Sequence, residues 1–146
     1  MADLRRVFRD VGRVQAQLAG EVSDHLQREL GLPLVLFDAM SVIADAERCR
    51  VHDLAAGLGA SVGGASKLVD RLEALGHCRR LPNPGDRRST LLELTPAGQE
   101  RLTEGRQAVD EVLGHLLGTA LSEAQISQLA GTLRDLRSSA AGPTGA

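Results

Sequence analysis

The chain of 146 residues has no tryptophan or tyrosine, and its only aromatic side chains are Phe8 and Phe37. Reading single-stranded nucleic acid by base stacking needs exposed aromatic platforms, so that mode finds no support here. Two cysteines, Cys49 and Cys78, are too few for a disulfide framework, and reduced thiols are expected for both. No apolar run is long enough for a signal peptide or a membrane span, and the N-terminal stretch carries Asp3, Arg5, Arg6, Arg9 and Asp10. A cytoplasmic protein without a membrane partner is the expectation. A large charge surplus is missing too, and the net charge of −2 argues against indiscriminate coating of nucleic acid. His25, His52, His77 and His115 are scattered, with no nucleophile turn, phosphate loop or paired-carboxylate motif beside them. The sequence therefore reads as a non-enzyme that needs no cofactor and no metal.

What the chain does have is helical pattern. Apolar residues make up 42% of it, mostly Leu, Ala and Val, enough for a packed core in one domain or one small lobe inside a helical shell. Leu4, Val7, Val11, Val14, Leu18, Val22, Leu26 and Leu30 recur at steps of three and four, which predicts a long amphipathic helix ended by Gly31. Pro33 is expected to open a second helix with Leu36, Met40, Ile43 and Ala44 inside, and Arg48 to Val51 to be a connection or a single strand. Toward the C-terminus, Thr95 and Pro96 start a helix that should run to about Gly118. Ser122 and Gln125 form a capping-box pattern before Ile126, Leu129, Leu133 and Leu136. The small residues of 138–146 are expected to fray.

The stretch from Asp53 to Pro96 organises the rest. Leu54, Ala55 and Leu58 share one helical face, Gly59 can end that helix, and Ser61 is a good N-cap for the next. Ala65, Leu68, Val69, Leu72 and Leu75 give the second helix its apolar face, and Gly76 stops it. This is helix-turn-helix spacing, in which the N-terminal half of the second helix is offered to the major groove. Cys78 to Leu81 and Thr90 to Leu94 then read as strands around the turn-rich tip Pro82-Asn83-Pro84-Gly85-Asp86-Arg87-Arg88. From Ser61 to Thr90 the six bases Lys67, Arg71, Arg79, Arg80, Arg87 and Arg88 face only Asp70, Glu73 and Asp86, whereas the chain from Leu91 onward is acidic. The basic charge is concentrated on the helix and hairpin that would meet a duplex.

At these residues the chain resembles the MarR family of bacterial transcriptional regulators. Asp86 to Thr95 matches that family's wing signature, an Asp-x-Arg tip running through an apolar strand into Leu-Thr. Leu68-Val69-Asp70-Arg71-Leu72-Glu73 followed by Gly76 matches the end of its reading helix, and Thr95-Pro96-Ala97-Gly98 the start of the next. The ordered run is far more specific than any one match. It implies a mainly α fold with a small β-wing. Residues 33–109 would form the winged helix-turn-helix DNA-binding lobe and connecting helix, and residues 1–32 and 110–146 a helical dimerisation region.

The resemblance implies a homodimer that binds pseudo-palindromic double-stranded DNA, most simply as a repressor released by a small-molecule effector. Two reading helices about 34 Å apart would enter successive major grooves. Ser61, Val62, Gly63, Gly64, Ser66, Lys67 and Arg71 would face DNA from the reading helix. Arg79, Arg80 and Arg87 are candidates for phosphate contacts, and Arg88 holds the position that enters the minor groove in this family. Asp86 is expected to brace the tip by pairing with an arginine. The family's effectors are small, often aromatic or phenolic anions, and Arg13, His25, Phe37 and Met40 are candidate pocket residues, with core or surface roles equally open to each.

Two other readings stay open. Cys49 or Cys78 could serve a redox-sensing regulator if His77 activates a thiolate, or the winged helix could mediate protein–protein contact without DNA. Cys49, His52, His77 and Cys78 could also meet at a zinc ion if the residue-50 segment pairs beside the wing, although their spacing is not a recognised metal motif.

Gly63 and Gly64 depart from the small polar residues usual in the family. Each costs about 1 kcal/mol of helix propensity and offers no side chain to a base. Weak direct readout is expected at these positions, with greater reliance on the wing and DNA shape. Gly63→Ser should therefore change the preferred duplex in a sequence-selection experiment, and an unchanged preference counts against this account.

Overall fold

The computed structural model describes residues 1–140. Its elements are helices α1 (Leu4–Leu30), α2 (Leu34–Asp45), α3 (Val51–Leu58), α4 (Val62–Ala74), α5 (Pro96–Ala120) and α6 (Glu123–Ala140) and strands β1 (Cys49–Arg50), β2 (Cys78–Pro82) and β3 (Thr90–Leu94). The chain divides into two units, Met1–Val109 and the remainder from Asp110. The architecture is mainly α with a small antiparallel sheet, as the sequence predicts.

In the first unit each helix starts and stops for local reasons. The Asp3 carboxylate accepts from the backbone N–H of Arg5 (3.1 Å) and Arg6 (3.3 Å), and Gly31 ends α1 in the left-handed conformation at φ 59. Arg101 of α5 donates to the carbonyl of Leu30, satisfying one of the acceptors that the helix end leaves open. Pro33 sits one position earlier than expected, as the N-cap of α2. Helix α2 packs against α1, α3, α4 and β3, and Leu26, Leu36, Met40, Leu54, Val69, Leu72 and Leu102 make the fully buried core. Leu75 was expected on the core face of α4 but is 55% exposed. It is the C-cap, where the chain leaves the helix.

The sheet has the order β1-β3-β2. The register pairs Cys49 and Arg80 with Leu92, and Cys78 with Leu94. Directly paired residues share a face, so Cys49, Cys78, Arg80, Leu92 and Leu94 look inward while Arg79 and Glu93 look outward. With β3 between them, the strands of Cys49 and Cys78 are about 10 Å apart, too far to share a tetrahedral zinc ion without rearrangement. Among the described residues no group of three or more His, Cys, Asp or Glu could hold a metal.

The base of the wing is locked to the end of α4. Thr95 caps α5 by accepting from Gly98 N–H (3.0 Å), while its hydroxyl donates to the Gly76 carbonyl (2.6 Å) and its N–H to the His77 carbonyl (3.1 Å). A Cβ at Gly98 would lie 2.0 Å from the His77 carbonyl oxygen, so only glycine fits.

In the second unit α5 continues to Ala120, two residues beyond the expected end, and Leu121 N–H still bonds the Leu117 carbonyl. Ser122 and Gln125 form the expected capping box, with reciprocal bonds of 2.9 and 3.3 Å. Ser138 to Ala140, expected to fray, complete α6. The rest of that tail, 141–146, lies outside the described residues. Among the described residues no helix is long and apolar enough to cross a membrane.

Both cysteines are buried and free. Burial, helped by the nearby negative charge of Asp53, pushes the Cys49 thiol up to about 11, and burial also raises that of Cys78. At Cys78 the pull of the Arg80 guanidinium toward a thiolate is outweighed by burial, so both thiols are held on the protonated side, which argues against a reactive thiolate.

Two measurements test the packing. Gly98→Ala should destabilise by about 1–3 kcal/mol or more in urea unfolding, because backbone must move to admit the methyl. For Cys49 the ordinary value is 9.0 and the folded value is raised, so its stability contribution is present below pH 9 and lost as pH climbs toward 11. At pH 8 iodoacetamide should label native Cys49 about 100-fold more slowly than the urea-unfolded chain.

Candidate nucleic-acid interface

Helix α4 is built to bury one face and expose its N-terminal half. Ala65, Val69 and Leu72 are fully buried, whereas Ser61, Val62, Gly63, Lys67 and Arg71 are exposed. Ser61 Oγ accepts from Gly64 N–H (3.0 Å), so the hydroxyl caps the helix. A Cβ at Gly63 meets nothing within 4 Å, and one at Gly64 comes within 3.2 Å of Ser61 Oγ. Among the described residues no packing requires glycine at 63.

The wing tip is tied together mainly by Asn83, which sequence reasoning passed over. Its side-chain carbonyl accepts from Gly85 N–H (3.1 Å) and from Arg48 (3.3 Å), and its amide donates to Ser89 Oγ (2.9 Å). The signal was an asparagine two residues before a glycine in a proline-rich turn, which favours a side-chain-to-backbone turn. Asp86 also braces the tip, but not through a guanidinium as expected. Its carboxylate accepts from Arg88 N–H (2.9 Å), a bond available because the tip curls the backbone over that side chain.

The four wing arginines separate into two kinds. Arg79 lies opposite Glu93 on the outer face and pairs with it at 3.0 Å. Arg80 turns inward and pairs with Asp70 and Glu73 of α4. Arg87 and Arg88 are exposed, and their guanidinium groups make no ion pair among the described residues. The sequence treated Arg79, Arg80 and Arg87 alike as phosphate contacts. Strand alternation and facing carboxylates instead give the first two partners inside the lobe.

Beside the tip, Arg48, Arg50, Asp53, Asn83, Gly85, Asp86 and Leu91 line a shallow hollow. Arg50 donates to Asp53 through both its backbone N–H (2.9 Å) and its guanidinium (3.0 Å), which holds the Asp53 carboxyl below its usual range. Arg48 and Arg50 precede the helix-turn-helix in sequence and gave no pattern to flag them. Strand β1 brings them to the wing.

The four candidate effector residues do not behave as a set. Met40 is fully buried core, with no surface to offer a ligand, and Arg13 is exposed on α1. Phe37 is half-buried against Gly105, where a Cβ would come within 2.7 Å of its ring. His25 is half-buried on α1.

The MarR family model matches residues 30–89, which span the helix-turn-helix and most of the wing. The multiple antibiotic resistance protein MarR of Escherichia coli K12 is 27% identical over 132 residues, covering 88% of this chain and 91% of that protein. A MarR family transcriptional regulator of Streptomyces coelicolor, solved in complex with DNA, superposes with a TM-score of 0.81 at 25% identity, covering 96% of this chain and 88% of that one. AbsC, another MarR family regulator of that organism, shares the fold with a TM-score of 0.82 at 21% identity, covering 98% of each chain. The wing signature, the helix-turn-helix and these likenesses agree: the chain is similar to the MarR family, in sequence over residues 30–89 and in fold over nearly its whole length.

Proposed function

We propose that this protein is a transcriptional regulator that binds pseudo-palindromic double-stranded DNA as a homodimer, represses from that site and is released by a small-molecule effector. The observation that carries the reading is the pairing of an exposed α4 N-terminal half with a braced wing whose Arg87 and Arg88 are solvent-facing and free of ion pairs among the described residues. In it, Ser61, Val62, Gly63, Gly64, Ser66, Lys67 and Arg71 meet the major groove. Arg88 enters the adjacent minor groove, where a narrow A·T-rich segment concentrates negative potential, and Arg87 holds a phosphate. The DNA-bound Streptomyces relative supports the partner class.

The homodimer is supported by apolar surface that water should not keep. On α1, Leu4 is 78% and Phe8 81% exposed, with Val7, Val11 and Val14 about half exposed. On α6, Leu129, Leu133 and Leu136 are exposed as well. Fully burying an exposed side chain of this size contributes about 1.5–3 kcal/mol, and a half-exposed one proportionately less. In this reading the terminal helices of two chains cover one another, and an effector acts by favouring one spacing of the two lobes over another.

The test is fluorescence anisotropy with the duplex upstream of the protein's own coding sequence, alongside light scattering for mass. Arg88→Ala should lower affinity tenfold or more, about 1–3 kcal/mol, and leave the dimer mass unchanged. Arg87→Ala should reduce the salt slope by about one unit. Wild-type protein that is monomeric, or that binds all duplexes alike, overturns the reading.

A further inference from the structure

Ser66, Asp70 and Glu73 follow one another at steps of four and three, so they line one stripe of α4. A single side chain from β2 meets all three. Arg80 Nη1 lies 3.0 Å from Asp70 Oδ1 and also bonds Glu73 Oε1, while Nη2 donates to Ser66 Oγ (3.3 Å) and to the Ser66 carbonyl (3.5 Å). The Arg80 side chain is 27% exposed, half the value of its neighbour Arg79 at 54%. To reach a phosphate it would have to leave two carboxylates and a serine.

We infer that Arg80 is a positioning residue for DNA recognition, a clasp that fixes α4 against the wing and presets the hydrogen bonding of Ser66. The inference rests on the reading of α4 as the DNA-reading helix. A guanidinium can only donate, so Ser66 Oγ is an acceptor toward Arg80 and keeps its one proton for something else. Ser66 is thereby set to donate, which suits acceptor atoms of the major groove such as guanine O6 and N7, or a phosphate oxygen. The planar fork matters, because one ammonium could not span Ser66 and both carboxylates.

The discriminating variant is Asp70→Asn/Glu73→Gln, which keeps Arg80 and removes two negative charges from the lobe. Were Arg80 a phosphate contact restrained by these carboxylates, the variant would bind selected and scrambled duplexes more tightly alike. The clasp requires the ratio of selected to scrambled affinity to fall about tenfold in anisotropy titrations, against the gain in positive charge. Arg80→Lys, which keeps the charge and loses the fork, should lower the ratio similarly. In DNA-free protein the α4 amides of both variants should exchange hydrogen faster than wild type, with circular dichroism unchanged. A ratio that holds or rises in either variant, or unaltered α4 exchange, overturns the clasp. If wild-type protein shows no preference between duplexes, the DNA-reading assignment fails instead, and α4 exchange alone decides whether Arg80 clasps the helix.

Discussion

The lobe depends on the junction where the end of α4, the start of β2 and the first turn of α5 meet. Thr95 bonds the Gly76 and His77 carbonyls and caps α5 at once, and Gly98 lets that first turn close onto the His77 backbone. Three elements are fixed by one side chain and one missing side chain. Since β2 and β3 carry the wing, the junction also sets where the wing stands relative to α4. A shift of an ångström there would carry the arginines at the tip with it, because β2 and β3 are paired from that base outward.

The charge arrangement in the lobe follows a division of labour. Exposed ion pairs such as Arg79 with Glu93 contribute little stability, on the order of 0–1 kcal/mol each, so their effect is on geometry and on which charges remain open. Two arginines are occupied inside the lobe, and two, Arg87 and Arg88, are left to solvent. The tip that holds them is ordered by neutral bonds through Asn83 and by the Asp86 carboxylate on a backbone N–H, which keeps the guanidinium groups unpaired. Arg50, by contrast, spends its guanidinium on an ion pair with Asp53 at the start of α3, fixing a helix terminus beside the wing.

The terminal helices follow a different logic from the lobe. Leu36, Leu54, Val69 and Leu72 of α2, α3 and α4 disappear into the core, whereas the first half of α1 and much of α6 keep apolar side chains in solvent. The contrast is not one of helix strength, since α1 and α6 are both well capped. It reflects apolar surface left open among the described residues of each unit, and it is why the proposed function includes a second copy.

Local pattern determined the elements of this protein. Apolar periodicity, the caps at Ser61, Thr95 and Ser122, and the glycines at 31, 59 and 76 place helices and turns without reference to anything distant, because each acts within one or two turns of backbone. The wing signature and the family resemblance were legible for the same reason, being contiguous in the chain. The fate of each arginine was not. Arg79 and Arg80 are adjacent and chemically identical, and only the strand register, with Glu93 on one side and the Asp70–Glu73 stripe on the other, separates them. Arg48 and Asn83 are 35 residues apart and meet because β1 joins the sheet. Met40 became core instead of pocket because α2 packs between its neighbours. A side chain's partners are set by what folds against it, and that information is spread over segments that sequence alone leaves apart.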